Sequence, residues 1–412
     1  MNRATQDLLT RIGPGTRMGA LLRRYWHPVA ASCELAAGTA RKVRLLGEDL
    51  VLLRTASNRL GLLEAACPHR RASLAHGEVD GETLLCPYHG WTFAADGRCL
   101  AMPAEPVRKP ALLERCAAVA YRAEELGGLI FAYLGPDPAP LLPRWDLLVW
   151  PDGLRDIGRA LIPCNWLQIM ENSVDPTHVE WLHGRHLAWT RQRAGLPVPT
   201  HYRRHQIKIG FDRFRWGIIK RRVLEGGSEQ DDDWRIGHPL LFPLMVRVGA
   251  GQQHRLQIRV PVDDTHTLHY WYACYRPRPG ERASPQHEIP VYDVPWQDEQ
   301  GEFITDFVDG GDIMAWVTQG PIADRTREQL VASDAGIALY RRMLLEELNR
   351  SEAGEDPLGT LRDPAKNQII ELPQERNKLG GGSAFLREAV AMSHVRYSPI
   401  LDKIFALLDG TR

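Results

Sequence analysis

The chain has 412 residues, 44% hydrophobic and 25% charged, an ordinary globular composition with room for two or three domains with cores of their own. Lysine plus arginine (51) balances aspartate plus glutamate (51), so no basic excess is available to neutralise a phosphate backbone, and no nucleic-acid partner is expected. No stretch approaches 18 uninterrupted apolar residues and the start, MNRATQDLLTRIGPG, lacks a signal-peptide pattern, so the expectation is a cytoplasmic protein with no membrane partner.

At the start, LLTRIGPGTRMGALLRRYWHPVA predicts a short helix, glycine-rich turns and a second helix ending at His27-Pro28. From Arg41 onward KVRLLGEDLVLLR, LGLLEAA, GETLLCPYHGWTFAADGRCL and GGLIFAYLG are β-type runs bounded by Gly, Asp or Asn, which predicts a small antiparallel domain up to about Pro136. DPAPLLPRW is a proline-rich linker. Beyond it PCNWLQIMENSVDPTHVEWLHG has helical spacing, HRLQIRVPV and THTLHYWYACYRP alternate like strands, and SDAGIALYRRMLLEELNR predicts an amphipathic helix with a serine cap. DDDW near Asp231, PRPGERASP near Pro277 and KLGGGSA near Gly380 are expected as solvated loops. Packing is the expected role of Cys33, Cys99, Cys116, Cys164 and Cys274.

CPHRRASLAHGEVDGETLLCPYHGW contains two near-copies of one phrase. Cys67 and His69 are separated by one residue, Cys86 and His89 by two, and sixteen residues lie between the pairs. Two cysteines and two histidines also satisfy a tetrahedral zinc ion, and that alternative stays open. Zinc fingers, however, group like ligands, whereas each loop here offers one of each kind. Mixed loops suit a two-iron cluster in which two thiolates hold one iron and two neutral imidazoles the other, raising its potential. His76, between the pairs, reads as an ordinary loop histidine.

NWLQIMENSVDPTHVEWLHGRH offers Asp175, His178 and His183, with His186 as a spare. Two histidines and one carboxylate on one face are the usual ligands of a non-haem Fe(II) that activates oxygen, because the opposite face stays open. Histidines five residues apart lie about 140° apart on an ideal helix, so both reach one metal only if the helix is distorted or ends. Pro176 and Gly184 supply reasons for that. In GGDIMAWVTQGPIADRT, Asp312 is a candidate third ligand, and periodicity does not separate it from Asp306, Asp309 or Asp324.

Together LLRRYWHPV, CPHR, CPYHGW, NWLQ-x2-EN-x2-DP-x-H and QGPIADRT-x-E-x-L-x2-SD-x-GI resemble the oxygenase components of Rieske non-haem iron oxygenases. Within them the chain is most similar to the phthalate dioxygenase-like group, which includes O-demethylases of the dehydrodivanillate type. The resemblance implies an α+β fold: a small antiparallel β Rieske domain and a larger helix-grip catalytic domain. The corresponding ranges are 1–38 as an N-terminal helical segment packing on the catalytic domain, 39–140 as the Rieske domain and 141–412 as the catalytic iron domain. It implies a [2Fe-2S] cluster on Cys67, His69, Cys86 and His89, a mononuclear Fe(II) on His178, His183 and Asp312, and a bridging role for Asp175 between the metals of neighbouring subunits in a homotrimer. Two positions depart from the family pattern: Arg71 stands where a turn glycine is common, and Gly311 where glutamine is frequent.

The chain has no flavin or nicotinamide fingerprint and no plant-type C-x4-C-x2-C spacing, so a separate NAD(P)H-dependent reductase, with or without a ferredoxin, is expected alongside O2. The expected substrate is an aromatic acid. O-demethylation of a methoxylated one stands ahead of cis-dihydroxylation of a phthalate-like one, on the look of IPVYDVPWQDEQGE and DIMAWVTQGPIADRT. Arg191, Arg193 and Arg247 are candidate partners for a substrate carboxylate. The rival of another class is a Rieske electron carrier or redox sensor without substrate, against which stands the large second domain.

Overall fold

The structure is a computed structural model that describes residues 1–106 and 110–409. It contains two compact units, one of Ile12–Leu142 and one of Met1–Arg11 with Pro143–Arg412. Helix α1 (Arg3–Thr10), capped by Asn2, belongs to the larger unit, and α2 (Arg17–Leu22) to the smaller. The second helix stops earlier than its pattern predicts. The His27 ring nitrogen lies 2.8 Å from the Leu22 carbonyl, and His27-Pro28 open the strand β1 (His27–Ala31) instead of closing a helix. β1 is a sheet edge, where a proline's missing N–H is tolerated. Its pairing with β10 (Leu129–Tyr133) draws residues 12–38 into the smaller unit, not into the catalytic one where the 1–38 segment was expected.

In the smaller unit β2 (Thr39–Leu45), β3 (Glu48–Arg54) and β4 (Leu60–Glu64) join β1, β10 and β9 (Ala120–Leu126) in the order β1-β10-β9-β4-β3-β2. A four-stranded antiparallel sheet follows the order β5 (Glu78–Asp80), β6 (Thr83–Leu85), β7 (Thr92–Ala94) and β8 (Cys99–Ala101), and α3 (Pro110–Arg115) comes after it. The β-type runs of the sequence fall on these strands. AYRAEEL, which forms β9, was not among them, because its largely exposed residues carry no apolar alternation.

The larger unit is an eight-stranded sheet gripped by helices. Its order is β12 (Gln206–Phe214), β13 (Gly217–Leu224), β14 (His238–Leu241), β15 (Met245–Ala250), β16 (Gln253–Asp263), β17 (His266–Tyr275), β11 (Leu154–Ile162) and β18 (Val291–Asp293), all antiparallel except β11 with β18. The short α4 (Asp146–Val149) precedes β11; α5 (Trp166–Val174) is followed by a π-helix (Val179–His186) that runs on into α6 (Leu187–Arg193). α7 (Asp232–Arg235), α8 (Val308–Val317), α9 (Ala335–Glu352), α10 (Gly382–Ala391) and α11 (Leu401–Asp409) complete it.

Four local expectations are overturned. α9 begins after Ser333, and it is the Asp334 carboxylate that accepts from the Val331 amide, at 2.8 Å. DDDW forms α7, and its Asp233 is buried against Arg222 at 2.7 Å. KLGGGSA is structural wall: Lys378 and Leu379 are buried, and α10 starts at Gly382. Cys33 is exposed, whereas Cys99, Cys164 and Cys274 are buried and Cys116 half-buried. The loop PRPGERASP is irregular as expected.

Candidate metal centres

The two loops of the repeated phrase fold alike. In the first, the Cys67 amide donates to the Ala72 carbonyl (2.9 Å) and the Arg71 amide to the Cys67 carbonyl (2.8 Å); in the second, Cys86 donates to Trp91 (2.7 Å) and Gly90 to Cys86 (3.0 Å). Each turn needs one residue at positive φ, five positions into the phrase. Gly90 supplies it at +68° and Arg71 at +64°, where glycine is the comfortable residue. The Arg71 guanidinium pairs with Glu64 at the end of β4.

Both cysteines are buried in the core of the smaller unit, and both histidines lie at its solvent side. The imidazoles of His69 and His89 have centroids 4.6 Å apart; Trp91 stacks on His69 at 4.5 Å and 6°, and Tyr88 leans on His89 at 3.8 Å. Burial, with the Cys86 thiol next to it, pushes the Cys67 thiol up to about 11. Such a thiol ionises readily only where a metal takes the charge. The donor set therefore fits a Cys2His2 metal group.

In the larger unit His178, His183 and Asp312 offer ligand atoms that all lie within 4.8 Å of one another. The π-helix explains how. Its i→i+5 bonding brings residues five apart toward one line, so the 140° divergence of an α-helix does not arise, and the two rings stand 5.0 Å apart. Gly184 does not end the helix; it lets the backbone at Tyr202 approach, since a Cβ there would meet the Tyr202 carbonyl. From α8, Asp312 Oδ1 lies 3.4 Å from His183 Nε2 and 3.9 Å from His178 Nε2. Neither Asp312 Oδ1 nor the Nδ1 atoms of His178 and His183 have a hydrogen-bond partner. Burial pushes the Asp312 carboxyl up to about 7 and holds His183 well below its ordinary value, as a neutral imidazole. Two imidazoles, that of His183 held neutral, and a buried carboxyl in need of a cation fit a divalent metal.

The other candidate aspartates are engaged elsewhere. Asp306 pairs with Arg396 at 2.9 Å, Asp309 accepts from the His394 amide at 2.7 Å, and Asp324 accepts from Thr326. His186 lies outside the triad, beside Trp189. Asp175 closes α5 with its amide, which donates to the Asn172 and Glu171 carbonyls, while its carboxylate accepts from the amides of Thr177 (2.7 Å) and His178 (3.1 Å) in the next segment and lies 3.5 Å from His178 Nδ1. Against burial, which raises it, these partners hold the Asp175 carboxyl down at about 2.

A cavity opens beside the triad on one face of the sheet. Its lining is mixed: Tyr202, Val246, Val248, Phe385 and Ala389 contribute apolar surface. Lys220 and Arg222 of β13, Gln253 and Arg255 of β16 and Lys378 contribute polar groups, and Val248 sits opposite Arg255 in the sheet register. Arg222 is neutralised by Asp233 (2.7 Å) and Glu375 (3.4 Å), and Lys378 by Glu375 (3.1 Å). Lys220 instead donates to the Ser173 carbonyl at 2.6 Å, and burial with Arg222 and Lys378 nearby lowers it to about 7. Arg255 reaches the His394 ring at 3.5 Å, while its Nε and both polar ends of Gln253 lack hydrogen bonds.

None of the arginines proposed from sequence fills this role. Arg191 donates to the Pro197 and Asp306 carbonyls, Arg193 covers Trp189, and Arg247 pairs with Asp146 at 3.2 Å. The polar cavity residues were missed because R-x-Q-x-R in HRLQIRVPV reads as the solvent face of an alternating strand. That face is buried against the helices, with Arg255 5% and Arg259 1% exposed.

Residues 25–113 match the Rieske [2Fe-2S] domain, and residues 132–284 and 296–371 the LigXa C-terminal-like domain. The chain is 42% identical, over 89% of its length and 85% of the relative's, to the 5,5'-dehydrodivanillate O-demethylase oxygenase subunit of Sphingobium sp. strain NBRC 103272 / SYK-6. It is 30% identical to the phthalate 4,5-dioxygenase oxygenase subunit of Pseudomonas putida (86% and 87% covered) and 34% identical to the phenoxybenzoate dioxygenase subunit alpha of Ectopseudomonas oleovorans (85% and 86%). Among solved structures, Pseudomonas putida CBB5 NdmA shares the fold with a TM-score of 0.59 at 21% identity, covering 82% of this chain and 94% of that one. Two metal-competent sites, one in each unit, and these matches along most of the chain lead to one assignment: the chain belongs to the Rieske oxygenases, as an oxygenase subunit with a [2Fe-2S] cluster and a mononuclear iron that works with a separate reductase or ferredoxin.

Proposed function

We propose that this oxygenase removes a methyl group from a methoxylated aromatic acid. The observation that carries the reading is the cavity next to His178, His183 and Asp312, whose lining combines the aromatic Tyr202 and Phe385 with the cationic Lys220 and Arg255. An aromatic ring suits the aromatic lining, and a carboxylate satisfies the cations and the orphaned polar atoms. The 42% identity to a dehydrodivanillate O-demethylase subunit supports demethylation ahead of ring dihydroxylation.

The ligand assignments belong to the same proposal. Cys67, His69, Cys86 and His89 hold the cluster; His178, His183 and Asp312 hold the iron; Asp175 orients His178 and links the two metals across neighbouring subunits of a trimer. With iron bound, the site supplies oxygen activation driven by electrons from the cluster. The residues of this chain do the rest. Arg255 and Lys220 anchor the carboxylate, Tyr202 and Phe385 flank the ring, and the apolar wall keeps bulk water from the reacting carbon.

The test is product analysis of iron-loaded protein with a surrogate reductase, NADH and oxygen on methoxylated and plain aromatic acids. Formaldehyde in step with oxygen uptake is expected, and methyl esters of the same acids should be poorer substrates by about tenfold or more for loss of the charge-assisted contacts. A cis-diol without formaldehyde would overturn demethylation.

A further inference from the structure

The 3-10 turn His201–Arg203 is seated between two glycines. A Cβ at Gly184, next to His183 on the π-helix, would meet the Tyr202 carbonyl and Arg203 Cα; one at Gly381, just before α10, would meet the His201 ring. Backbone packs on backbone at the first seam and on a ring at the second, with no slack at either. Tyr202, in the middle of the turn, is buried and lines the cavity, its ring centroid 6.0 Å from His183 and 5.3 Å from Phe385.

Glu388 fastens this turn to α10. Its carboxylate accepts from the Thr200 amide (3.0 Å), the Thr200 hydroxyl (2.8 Å) and the His201 amide (3.4 Å), and lies 3.3 Å from His201 Nδ1. On the same helix Phe385, three residues before it, and Ala389, one after it, line the cavity. Glu388 itself does not line it, and its side chain is 11% exposed, shielded enough for charge-assisted bonds to hold.

The geometry points to Glu388 as a positioning residue for substrate: by clamping Thr200 and His201 it holds Tyr202 against His183 and Phe385, and so sets where the substrate lies relative to the triad. Only the aromatic nature of that substrate rests on the function proposed above.

The experiment is a double-mutant cycle on holoenzyme matched for Rieske spectrum and iron content. Glu388→Ala should raise KM about five- to tenfold, the worth of one to two hydrogen bonds, with kcat changing less. A larger share of the oxygen consumed should leave as hydrogen peroxide, since a loosely placed substrate no longer captures the reductase-driven oxidation. Glu388→Gln, isosteric and retaining one acceptor oxygen, should fall between, and it carries the cycle if the alanine variant loads poorly. Tyr202→Ala should reproduce the phenotype, and the double variant should be no worse than Tyr202→Ala alone. Unchanged KM and coupling in both Glu388 variants, or effects that multiply in the double variant, would overturn the role. The cycle reads the same on whichever substrate the wild type accepts. Failure of the aromatic-acid reading shows separately, as a wild type that turns over no aromatic acid.

Discussion

Arg71 and Gly90 occupy the same position in two copies of one turn, and only one of them suits it. A non-glycine residue in the left-handed region costs about 1 kcal/mol, while the Arg71–Glu64 pair, with 62% and 28% of its side chains exposed, returns about 0–1 kcal/mol. Arg71→Gly is therefore expected to leave the Rieske spectrum unchanged and thermal stability equal or slightly higher. Gly90→Ala should lower stability by about 1 kcal/mol, since its Cβ would also stand 3.2 Å from Pro103. At the other site, burial raises the Asp312 carboxyl from 3.8 to about 7, so between those values the metal-free fold holds a proton that the unfolded chain has lost. Metal-free stability should accordingly fall as pH rises through that window. Divalent metal must displace the same proton, so its affinity should fall about tenfold per unit as pH drops below about 7, a trend read by anaerobic titration with Fe(II) or Co(II). A flat profile would place the metal elsewhere.

At the scale of elements, α5 is the piece on which the catalytic unit is organised. Glu171, on its last turn, accepts from Arg325 (2.7 and 3.0 Å) and from Arg341 of α9 (2.6 Å), and Arg341 also holds Glu328. The Arg325 amide in turn donates to Gln6 of α1. This network gives a physical reason for the block QGPIADRT-x-E: its arginine and glutamate are the far ends of a clamp that fixes α5, and with it the segment running from Asp175 to His183. Glu171→Gln leaves the buried Arg325 without a counter-charge, while Arg341 keeps Glu328, and should cost about 3–5 kcal/mol in denaturant unfolding. Removing the exposed pair between Arg213 of β12 and Glu346 of α9 should cost about 0–1 kcal/mol. Equal effects would mean that the buried network is not the clamp described.

At the scale of the whole molecule, the two metal sites lie in separate units of one chain, and the proposed path between them runs from one subunit to its neighbour in a trimer. Co-assembly of a His69→Ala chain, defective at the cluster, with a His183→Ala chain, defective at the triad, should therefore restore part of the activity that each lacks alone. Trimers mixed at random should recover at most a minority of wild-type turnover, and activity should track the mixing ratio. No recovery in mixed assemblies of confirmed composition would argue for transfer within one subunit. Among the described residues no helix is long and apolar enough to cross a membrane.

Spacing alone singled out Cys67, His69, Cys86 and His89 as candidate ligands, because a mixed Cys-His pair on each of two short loops is a local signature that survives without knowledge of the fold. The β-type runs and the helical segment around Asp175 were legible for the same reason: each is a periodic pattern read within one element. The sequence by itself did not determine which of Asp306, Asp309, Asp312 and Asp324 meets His178 and His183. That choice depends on how α8 packs beside the π-helix, a contact between segments more than a hundred residues apart. Nor did it determine that the polar face of β16 is interior. A polar alternation looks the same whether it faces water or a buried cavity, and only the helices closed over the sheet decide which.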